Sequence, residues 1–340
     1  MRIAIHHREN SFSERWIEYC KNKNIDYVVV NCYGNRIIEV LKKEKITHLM
    51  WHVNHSFSKD LMVFPYVLNS ADSMGIKTYP NFNTRWHFDD KIAQKYFLES
   101  IEAPLVKSNA FYDKKEALAY IQSNNMPVVA KLKRGAGSTN VKLIREKNQG
   151  IDYVEKMFST GISSNAQVLE GLDQKLRIAK KIKNPVNLIK KFIGYIKKTK
   201  TEQKLSLVEK GYVYFQEFLP KNEYDTRVIV IKNRAFGVRR FNRQNDFRAS
   251  GSGKVDYDYH NIDLVFVKEA FKISDDLKTQ AVAFDFIYGQ DGNARIIEIC
   301  FGFNVKFYDP CPGYWKRDLS FVEGKFNPQY YMVDNFLYDE

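Results

Sequence analysis

The most constraining feature of the sequence is a pair of apolar segments, Val282–Tyr288 (VAFDFIY) and Ala294–Cys300 (ARIIEIC), joined by a short connection. Asp291-Gly292-Asn293 within that connection is typical of a tight β-hairpin turn. Each segment carries one acid, Asp285 or Glu298, among mainly apolar residues. A buried, unpaired carboxylate is costly, so such acids usually have a cation partner. The pattern predicts either a hard-oxygen site for Mg²⁺ or a pair of edge acids bound to Lys or Arg.

The first 80 or so residues alternate short apolar runs with stretches of helical periodicity. The strand candidates are Arg2–His6, Tyr27–Asn31 and Thr47–Val53, with helices predicted between them over Ser13–Lys23 and Ile37–Lys45. This alternation predicts a small doubly wound domain over residues 1–88. It lacks a GxGxxG motif, so a dinucleotide site is not supported. His52 and His55 follow the third strand, which makes them candidates for substrate contact or ordinary structural residues.

A second hairpin candidate contains a lysine ahead of a glycine-rich turn. Pro127–Leu132 (PVVAKL) is a predicted strand that runs into RGAGSTN and then into a second strand, Val141–Ile144. Lys131 at the end of the first strand can meet phosphate oxygens, while backbone N–H groups of residues 135–139 fold over them. The alternative is an exposed lysine beside an ordinary hairpin turn.

The second half of the chain is rich in predicted strands. Before the acidic hairpin these are Tyr212–Phe218, Thr226–Ile231 and Ala235–Phe241, and helices are predicted over Ile262–Ile273 and Asp275–Val282. The extended backbone of residues 216–219 can offer N–H and C=O groups to an adenine edge, and Glu223 can accept hydrogen bonds from ribose hydroxyls.

Four arginines lie close together near residue 240. Arginine recognises carboxylate and phosphate groups bidentately. Because glycines follow at positions 251 and 253, we predict that the arginines belong to a loop that covers the reaction centre. The alternative is a solvated basic edge. The four residues are Arg239, Arg240, Arg243 and Arg248.

One segment supplies most of the net charge of +13, since the stretch from Asp173 to Lys204 has eleven basic residues and two acidic ones. Asn184-Pro185 is a good helix start, and an apolar stripe follows at helical spacing. The pattern predicts a basic amphipathic helix over residues 184–200, within an insert over about 171–206. Such a helix can contact an anionic membrane or pack on the domain with a solvated face. Few aromatics accompany it, so we expect no nucleic acid partner.

Taken in chain order, these segments resemble the ATP-grasp superfamily. DDKIAQKYFLESIEAP is similar to the entry helix of that family, and PVVAKLKRGAGSTNV to its lysine strand and glycine-rich loop. QEFLPKNEYDTRV resembles the adenine hinge, and NDFRASGSG resembles a loop of the ribosomal-protein glutamate ligase branch. The acidic hairpin is similar to the family's metal hairpin. The resemblance covers nearly the whole chain.

The resemblance implies an α/β and α+β protein with an ATP-grasp fold and an N-terminal Rossmann-like domain. The ATP-grasp domain would cover residues 89–340, with lobes at about 89–215 and 216–340. The implied nucleotide-binding residues are Lys91, Lys131, Gly135, Gly137, Ser138, Gln216, Glu217, Phe218, Leu219 and Glu223. The implied catalytic residues are Arg248, Lys131 and Arg240, and the implied metal ligands are Asp285, Glu298 and Asn304.

The implied function is an ATP-dependent and Mg²⁺-dependent ligase that joins a carboxylate to an amine through an acyl-phosphate. A phosphotransferase acting on a sugar or alcohol, or a catalytically weak nucleotide-binding protein, would use the same fold. The family usually has Asn two residues after the hairpin Glu, where this sequence has Cys300, a soft ligand that Mg²⁺ does not favour. Asn304 is the candidate substitute.

Two weaker indications concern the substrate and the location. CPGYWKRDLSFVEGKFNP is similar to ATP-grasp proteins encoded with surface-polysaccharide genes, which points to a glycan precursor. The four cysteines are scattered and form no CxxC pair, as is usual for reduced thiols in the cytoplasm. We therefore expect a cytoplasmic enzyme, with a peripheral position at the inner membrane if the basic helix binds lipid.

Overall fold

The structure, a computed structural model, describes residues 1–55, 57–135, 140–163, 208–244 and 246–338. In its described parts the chain forms two compact units. The first unit comprises residues 1–55, 59–107 and 219–340, and the second comprises 56–58 and 108–218. The division after Phe218 is close to the predicted lobe boundary at 215/216, whereas residues 1–88 share a unit with the C-terminal part. The predicted domain boundaries stay a prediction.

The N-terminal sheet of the first unit is parallel. Its strands are β1 (Ile3–His6), β2 (Tyr27–Val30), β3 (His48–Trp51) and β4 (Lys77–Tyr79), in the order β2-β1-β3-β4. The helices are α1 (Phe12–Asn22), α2 (Ile37–Lys43), α3 (Ser58–Ser73) and the short α4 (Phe82–Arg85). The predicted βαβ alternation is confirmed, but α3 and β4 were not predicted. Helix α1 is capped by Ser11, whose side chain accepts from the backbone N–H of Ser13, and it begins at Phe12, one residue before the predicted start.

Helix α5 (Lys91–Ser100) leads from this sheet toward the acidic hairpin. Asp90 caps it, since its Oδ1 accepts hydrogen bonds from the backbone N–H groups of Ile92 and Ala93 at 3.1 and 3.0 Å. Lys91 is therefore the first residue of the helix. Gln94, one turn further along, accepts a hydrogen bond at 3.4 Å from the backbone of Ile299 in the hairpin.

The large sheet of the first unit holds the acidic hairpin. Its strands are β11 (Tyr224–Ile231), β12 (Arg234–Phe241), β13 (Val255–Asp256), β14 (Val282–Tyr288), β15 (Ala294–Cys300), β16 (Gly313–Trp315) and β17 (Phe321–Glu323). The order is β15-β14-β11-β12-β16-β17, and β13 pairs with β12. The predicted limits of the hairpin strands β14 and β15 are confirmed.

Each face of the large sheet packs against helices. Helix α8 (Leu264–Asp276) packs on one face, where Phe266 meets Phe284 and Phe286 in a buried cluster. On the other face, Ile229 and Phe236 join a cluster with residues of α1 and of α9 (Pro328–Tyr338).

The helix predicted over Asp275–Val282 is wrong. Helix α8 itself ends at Asp276, and the chain turns before β14. Lys278 in that turn has a φ of 54°, which a continuing right-handed helix does not allow.

The second unit is built on an antiparallel sheet of β5 (Ser108–Phe111), β6 (Val128–Lys131), β7 (Val141–Ile144) and β10 (Val213–Glu217), ordered β5-β10-β6-β7. Helices α6 (Lys114–Ser123) and α7 (Lys147–Met157) pack together beside it, and β8 (Ile162–Ser163) pairs with β9 (Val208–Glu209). The predicted helix over 184–200 and the rest of the basic insert lie outside the described residues. Within the described part of the chain, every helix is too short or too polar to cross a membrane.

Candidate functional site

A row of charged side chains crosses one face of the large sheet. Asp225 on β11 lies opposite Arg240 on β12, Arg227 on β11 lies opposite Asp285 on β14, and Asp285 lies opposite Glu298 on β15. Residues directly opposite each other in antiparallel strands project from the same face of a sheet. The strand order therefore brings three acids and two arginines from four strands together.

Asp285 is held by two arginines. Its Oδ1 accepts from Nε of Arg227 at 2.5 Å, and its Oδ2 accepts from Nη2 of Arg227 at 2.7 Å and from Nη2 of Arg240 at 2.9 Å. Arg240 also binds Asp225 bidentately, at 2.6 and 2.7 Å. Asp225, Arg240 and Asp285 are each at most 6% exposed. The network has equal numbers of positive and negative groups, which is what allows charges to be buried here.

The arginines determine which of these groups ionise. Burial would raise the pKa of Asp285, but Arg227 and Arg240 outweigh it and hold that pKa well below its usual range. Asp285 in turn raises the pKa of Arg227 against the effect of burial. For Asp225, burial and the neighbouring Asp285 charge raise the pKa despite the contact with Arg240. Asp285 is therefore a permanent anion at neutral pH.

Glu298, at the edge of this row, has a different partner. Its Oε1 lies 3.2 Å from Nζ of Lys91, whose side chain is 5% exposed, whereas the side chain of Glu298 is 30% exposed. Burial opposes the charge of Lys91, but Glu298 and Asp89 outweigh burial and raise its pKa. The lysine is thus held as a cation at the start of α5 by the hairpin glutamate.

His55 extends the charged row toward the N-terminal sheet. It is half-buried, and burial lowers its pKa, while the nearby carboxylates of Asp89 and Glu298 act in the opposite direction. His52 has a structural role instead. Its Nδ1 accepts from the backbone N–H of Phe12 at 3.1 Å, and its ring stacks on that of Phe12 at 3.7 Å.

Of the two hairpin acids, Glu298 is better placed than Asp285 to contact a metal ion. Asp285 already accepts three guanidinium N–H groups, whereas Glu298 keeps a partly exposed carboxylate. Burial raises the pKa of Cys300 to about 12, so its thiol is protonated and donates to the carbonyl of Gly302 at 3.2 Å. Asn304 is exposed, and its Oδ1 accepts from the backbone of Lys306 and Phe307 at 3.0 and 3.1 Å.

No three His, Cys, Asp or Glu side chains converge into a metal-holding group among the described residues. Glu298 is therefore the hairpin residue whose oxygen atoms suit Mg²⁺. The metal-ligand roles of Asp285, Glu298 and Asn304 stay predictions.

The loop after β12 is tied to itself through its arginines. Arg248 binds Asp246 through Nε at 2.9 Å and Nη2 at 2.7 Å, and Arg243 donates to the carbonyl of Ser250 at 2.7 Å. Arg239 binds Asp256 in β13 at 2.6 Å. These contacts fix the loop, and the catalytic roles of Arg248 and Arg240 stay predictions.

The hinge segment is anchored by an asparagine that the sequence reasoning passed over. Asn222 pairs with Tyr288 at the end of β14, donating to its carbonyl at 3.0 Å and accepting from its N–H at 2.9 Å. The adjacent Glu223 is exposed, and its backbone carbonyl accepts from Asn242 at 2.8 Å. This leaves the Glu223 side chain facing solvent, as its predicted ribose contact requires.

In the second unit, Lys131 ends β6 with its backbone between Tyr214 and Val141, and it is 6% exposed. Gly135 follows with a φ of 121°, and a Cβ there would lie 2.3 Å from Nδ2 of Asn140. The positive φ favours glycine at this position, and a larger residue would also displace the side chain of Asn140. Gly137 and Ser138 lie outside the described residues.

The predicted adenine hinge begins in β10. The side chain of Gln216 is buried and donates to Ser108 at 3.0 Å. Glu217 ends the strand, so Phe218 and Leu219 continue beyond it without a strand assignment. The nucleotide contacts of all four residues stay predictions.

Sequence reasoning missed Asp225, Arg227 and Tyr308 as members of the row. Burial raises the pKa of the Tyr308 hydroxyl, and the nearby charges of Arg227 and Arg240 act in the opposite direction. The spacing of Asp225 and Arg227 was a usable signal, because residues two apart in a strand point to the same face. Their partners on β12 and β14 could not be read from that spacing.

Comparisons with known proteins find solved structures with a similar fold. No protein-family model and no curated protein matches the sequence. The biotin carboxylase domain of 2-oxoglutarate carboxylase from Hydrogenobacter thermophilus is 12% identical with a TM-score of 0.59, covering 99% of this chain and 70% of that one. That structure contains MgADP and bicarbonate.

Two further structures match over almost their whole length. The ATP-grasp ligase PsnB, in complex with a minimal precursor, Mg and ADP, is 11% identical with a TM-score of 0.55, covering 99% of this chain and 97% of that one. A RimK-domain ATP-grasp protein from Sphaerobacter thermophilus is 14% identical with a TM-score of 0.52, covering 99% of each chain. At these identities the likeness concerns the fold.

Proposed function

We propose that this chain, which has the ATP-grasp fold, is an ATP-dependent ligase that joins a carboxylate to an amine through an acyl-phosphate. The observation that carries the proposal is the row of opposed charges on β11, β12, β14 and β15, with Lys91 and Glu298 at its edge. Solved ATP-grasp structures that match nearly the whole chain support it, since ligases are among them.

The cationic group at the edge of the row suits a phosphate-bearing substrate. Lys91 is a buried ammonium whose charge is balanced by Glu298. We propose that MgATP enters as substrate, that its metal ion contacts Glu298, and that Lys91 then turns its charge toward phosphate oxygens. Lys131 and the backbone after Gly135 have the same proposed role in the second unit, and residues 216–219 and Glu223 are proposed to hold the nucleoside.

The buried network has a supporting role in this proposal. Arg227 and Arg240 are bound by Asp285 and Asp225, so their guanidinium groups are already oriented before a substrate arrives. Preorganised positive charge stabilises the negative charge that develops during phosphoryl and acyl transfer. Arg248, in the loop after β12, is proposed to add to it once its contact with Asp246 opens.

The proposed reaction has two steps, phosphoryl transfer followed by acyl transfer. A carboxylate oxygen of the acid attacks the γ-phosphorus of ATP, the bond to the β–γ bridging oxygen breaks, and ADP leaves. The amine nitrogen then attacks the acyl carbon, and inorganic phosphate leaves with the oxygen that came from the carboxylate. The amine loses a proton to solvent or to a base, for which the half-buried His55 is the candidate in the described part of the site.

Hydroxylamine trapping tests the proposal without knowledge of the amine. The purified chain is incubated with MgATP, hydroxylamine and a panel of single carboxylic acids, and hydroxamate and ADP are both measured. We expect at least one acid to give equal amounts of hydroxamate and ADP, and an ¹⁸O-labelled carboxylate to transfer one label to phosphate.

The other function classes give different products in the same assay. ADP with a phosphorylated hydroxyl compound and no hydroxamate would identify a phosphotransferase, and nucleotide binding without ADP would identify a binding protein. Either outcome contradicts the ligase. A glycan precursor as the acid and membrane contact through residues 184–200 stay predictions, and uronic acids belong in the panel for the first of these.

A further inference from the structure

A cavity of about 320 Å³ lies at the other end of the large sheet from the charged row. Its walls come from β4, from the turn between β11 and β12, and from α9, where Lys77, Lys232 and Phe336 line it. Lys232 is five residues beyond Arg227, which corresponds to about 17 Å along an extended strand. None of the residues proposed to act on ATP or the acid lines this cavity.

The cavity wall has little free negative charge. Asp72 is the single acid among its lining residues. One carboxylate oxygen of Asp72 accepts from Thr78 Oγ1 at 2.7 Å, and the other accepts from the buried guanidinium of Arg85 at 2.5 Å. Arg85 therefore compensates the charge of this acid.

Several hydrogen-bond donors of the cavity wall have no acceptor among the described residues. Lys77 and Lys232 have no carboxylate within salt-bridge distance among the residues that the structure describes. The hydroxyl of Tyr79 and the side-chain nitrogen of Asn335 are buried, and neither has a hydrogen-bond partner among the described residues. Tyr79 and Asn335 both belong to the cavity wall. Both atoms are buried behind the cavity surface, so they meet a ligand only if their side chains shift.

Part of the remaining wall is aromatic or apolar, beside the polar side chains of Asn81 and Gln280. The rings of Tyr79 and Phe336 meet edge to face at 5.7 Å, and Met332 lies in the wall beside them. Aromatic side chains with a thioether suit the face of a planar apolar group. A cavity of this size is within the range of small-molecule sites.

We propose that this cavity binds a small organic anion with a flat apolar body, whose acidic group is held by Lys77 and Lys232. The two ammonium groups supply the charge, and the unpaired polar atoms of Tyr79 and Asn335 can turn toward the ligand. The site is separate from the proposed ATP chemistry and does not depend on it. Its position, at the junction of the N-terminal sheet and the large sheet, would let a ligand bridge β4 and α9.

Calorimetric titration of the full chain with 2-naphthoate, in the absence of nucleotide, tests this site. We expect saturable binding of one equivalent. The uncharged 2-naphthamide should bind at least tenfold more weakly, because it cannot form charge-assisted hydrogen bonds with the ammonium groups. A Lys77→Gln, Lys232→Gln double variant should lose binding by a similar factor, while Lys272→Gln, which removes an exposed lysine from α8, should match the wild type.

Each other outcome overturns the proposal. Absence of saturable binding would show that the cavity is not a binding site for this anion. Equal binding of acid and amide would show that the site does not select anions. Unchanged binding by the double variant would show that the ligand binds elsewhere. Both lysines are at least partly exposed, so their replacement is not expected to unfold the chain. Circular dichroism of each variant checks this directly.

Discussion

Asp285 and Glu298 lie directly opposite each other on β14 and β15, yet they bind different partners. Asp285 is enclosed by one arginine from β11 and one from β12, whereas Glu298 reaches Lys91 in helix α5 and stays partly exposed. One hairpin thus carries a buried acid and a partly exposed acid. We therefore expect substitutions at different positions of the row to affect stability and activity differently.

Removal of Arg240 should destabilise the fold strongly. An Arg240→Met variant leaves Asp225 without its bidentate partner and Asp285 with one arginine instead of two. Breaking a buried ion pair by removing one partner costs about 3–5 kcal/mol. Urea denaturation followed by circular dichroism measures the free energy of unfolding. The matched control is Arg317→Met, since Arg317 and Asp275 form an exposed pair with 40% and 54% of their side chains accessible. We expect a loss below about 1 kcal/mol there, and equal losses in both variants would contradict the buried network.

The stability of the protein should depend on pH through Asp285. Its pKa in the folded state is held below that of the unfolded chain, so its contribution is present above the unfolded value of about 3.9 and is lost as the pH falls through the folded value. We therefore expect the free energy of unfolding to fall less steeply in an Asp285→Asn variant than in the wild type as the pH drops below about 4. Urea titrations at a series of pH values measure both slopes, and identical slopes would show that the carboxylate is not held by the arginines.

Cys300→Asn should increase the response to Mg²⁺. The thiol is protonated and donates to Gly302, whereas an amide oxygen at the same position is a hard ligand of the kind that Mg²⁺ prefers. In the ADP-release assay, we expect the Mg²⁺ concentration for half-maximal activity to fall several-fold. Cys311→Ser, at a buried cysteine outside the hairpin, serves as the control. A value that rises or stays constant in Cys300→Asn would exclude this position from metal contact.

Lys131→Met should abolish ATP turnover. The variant keeps an apolar stem at the end of β6 but removes the ammonium group that is proposed to contact phosphate. ADP release should fall by at least 100-fold if this charge stabilises the transferred phosphoryl group. Lys142→Met on the neighbouring strand β7, which replaces an exposed lysine, should keep activity within about twofold of the wild type. Full turnover by Lys131→Met would remove this residue from the proposed mechanism.

Local patterns in the sequence predicted several elements of the site correctly. The limits of β14 and β15 and of β7 were predicted to the residue. These features depend on neighbours within a few positions, where alternation, turn residues and capping side chains act. Helix α3 and strand β4 were missed, and the helix proposed over Asp275–Val282 does not form, because its turn takes a left-handed conformation at Lys278.

The sequence by itself determined that two acids would face each other on a hairpin, that a lysine would end a strand before a glycine-rich turn, and that each acid needed a cation. The tertiary structure decided which cation each acid received. Strand β11 pairs with β14 on one side and β12 on the other, which places Arg227 and Arg240 against Asp285 and leaves Glu298 to Lys91. Partners chosen across strands depend on strand order and register, and residues far apart in the chain fix these only when the whole sheet assembles.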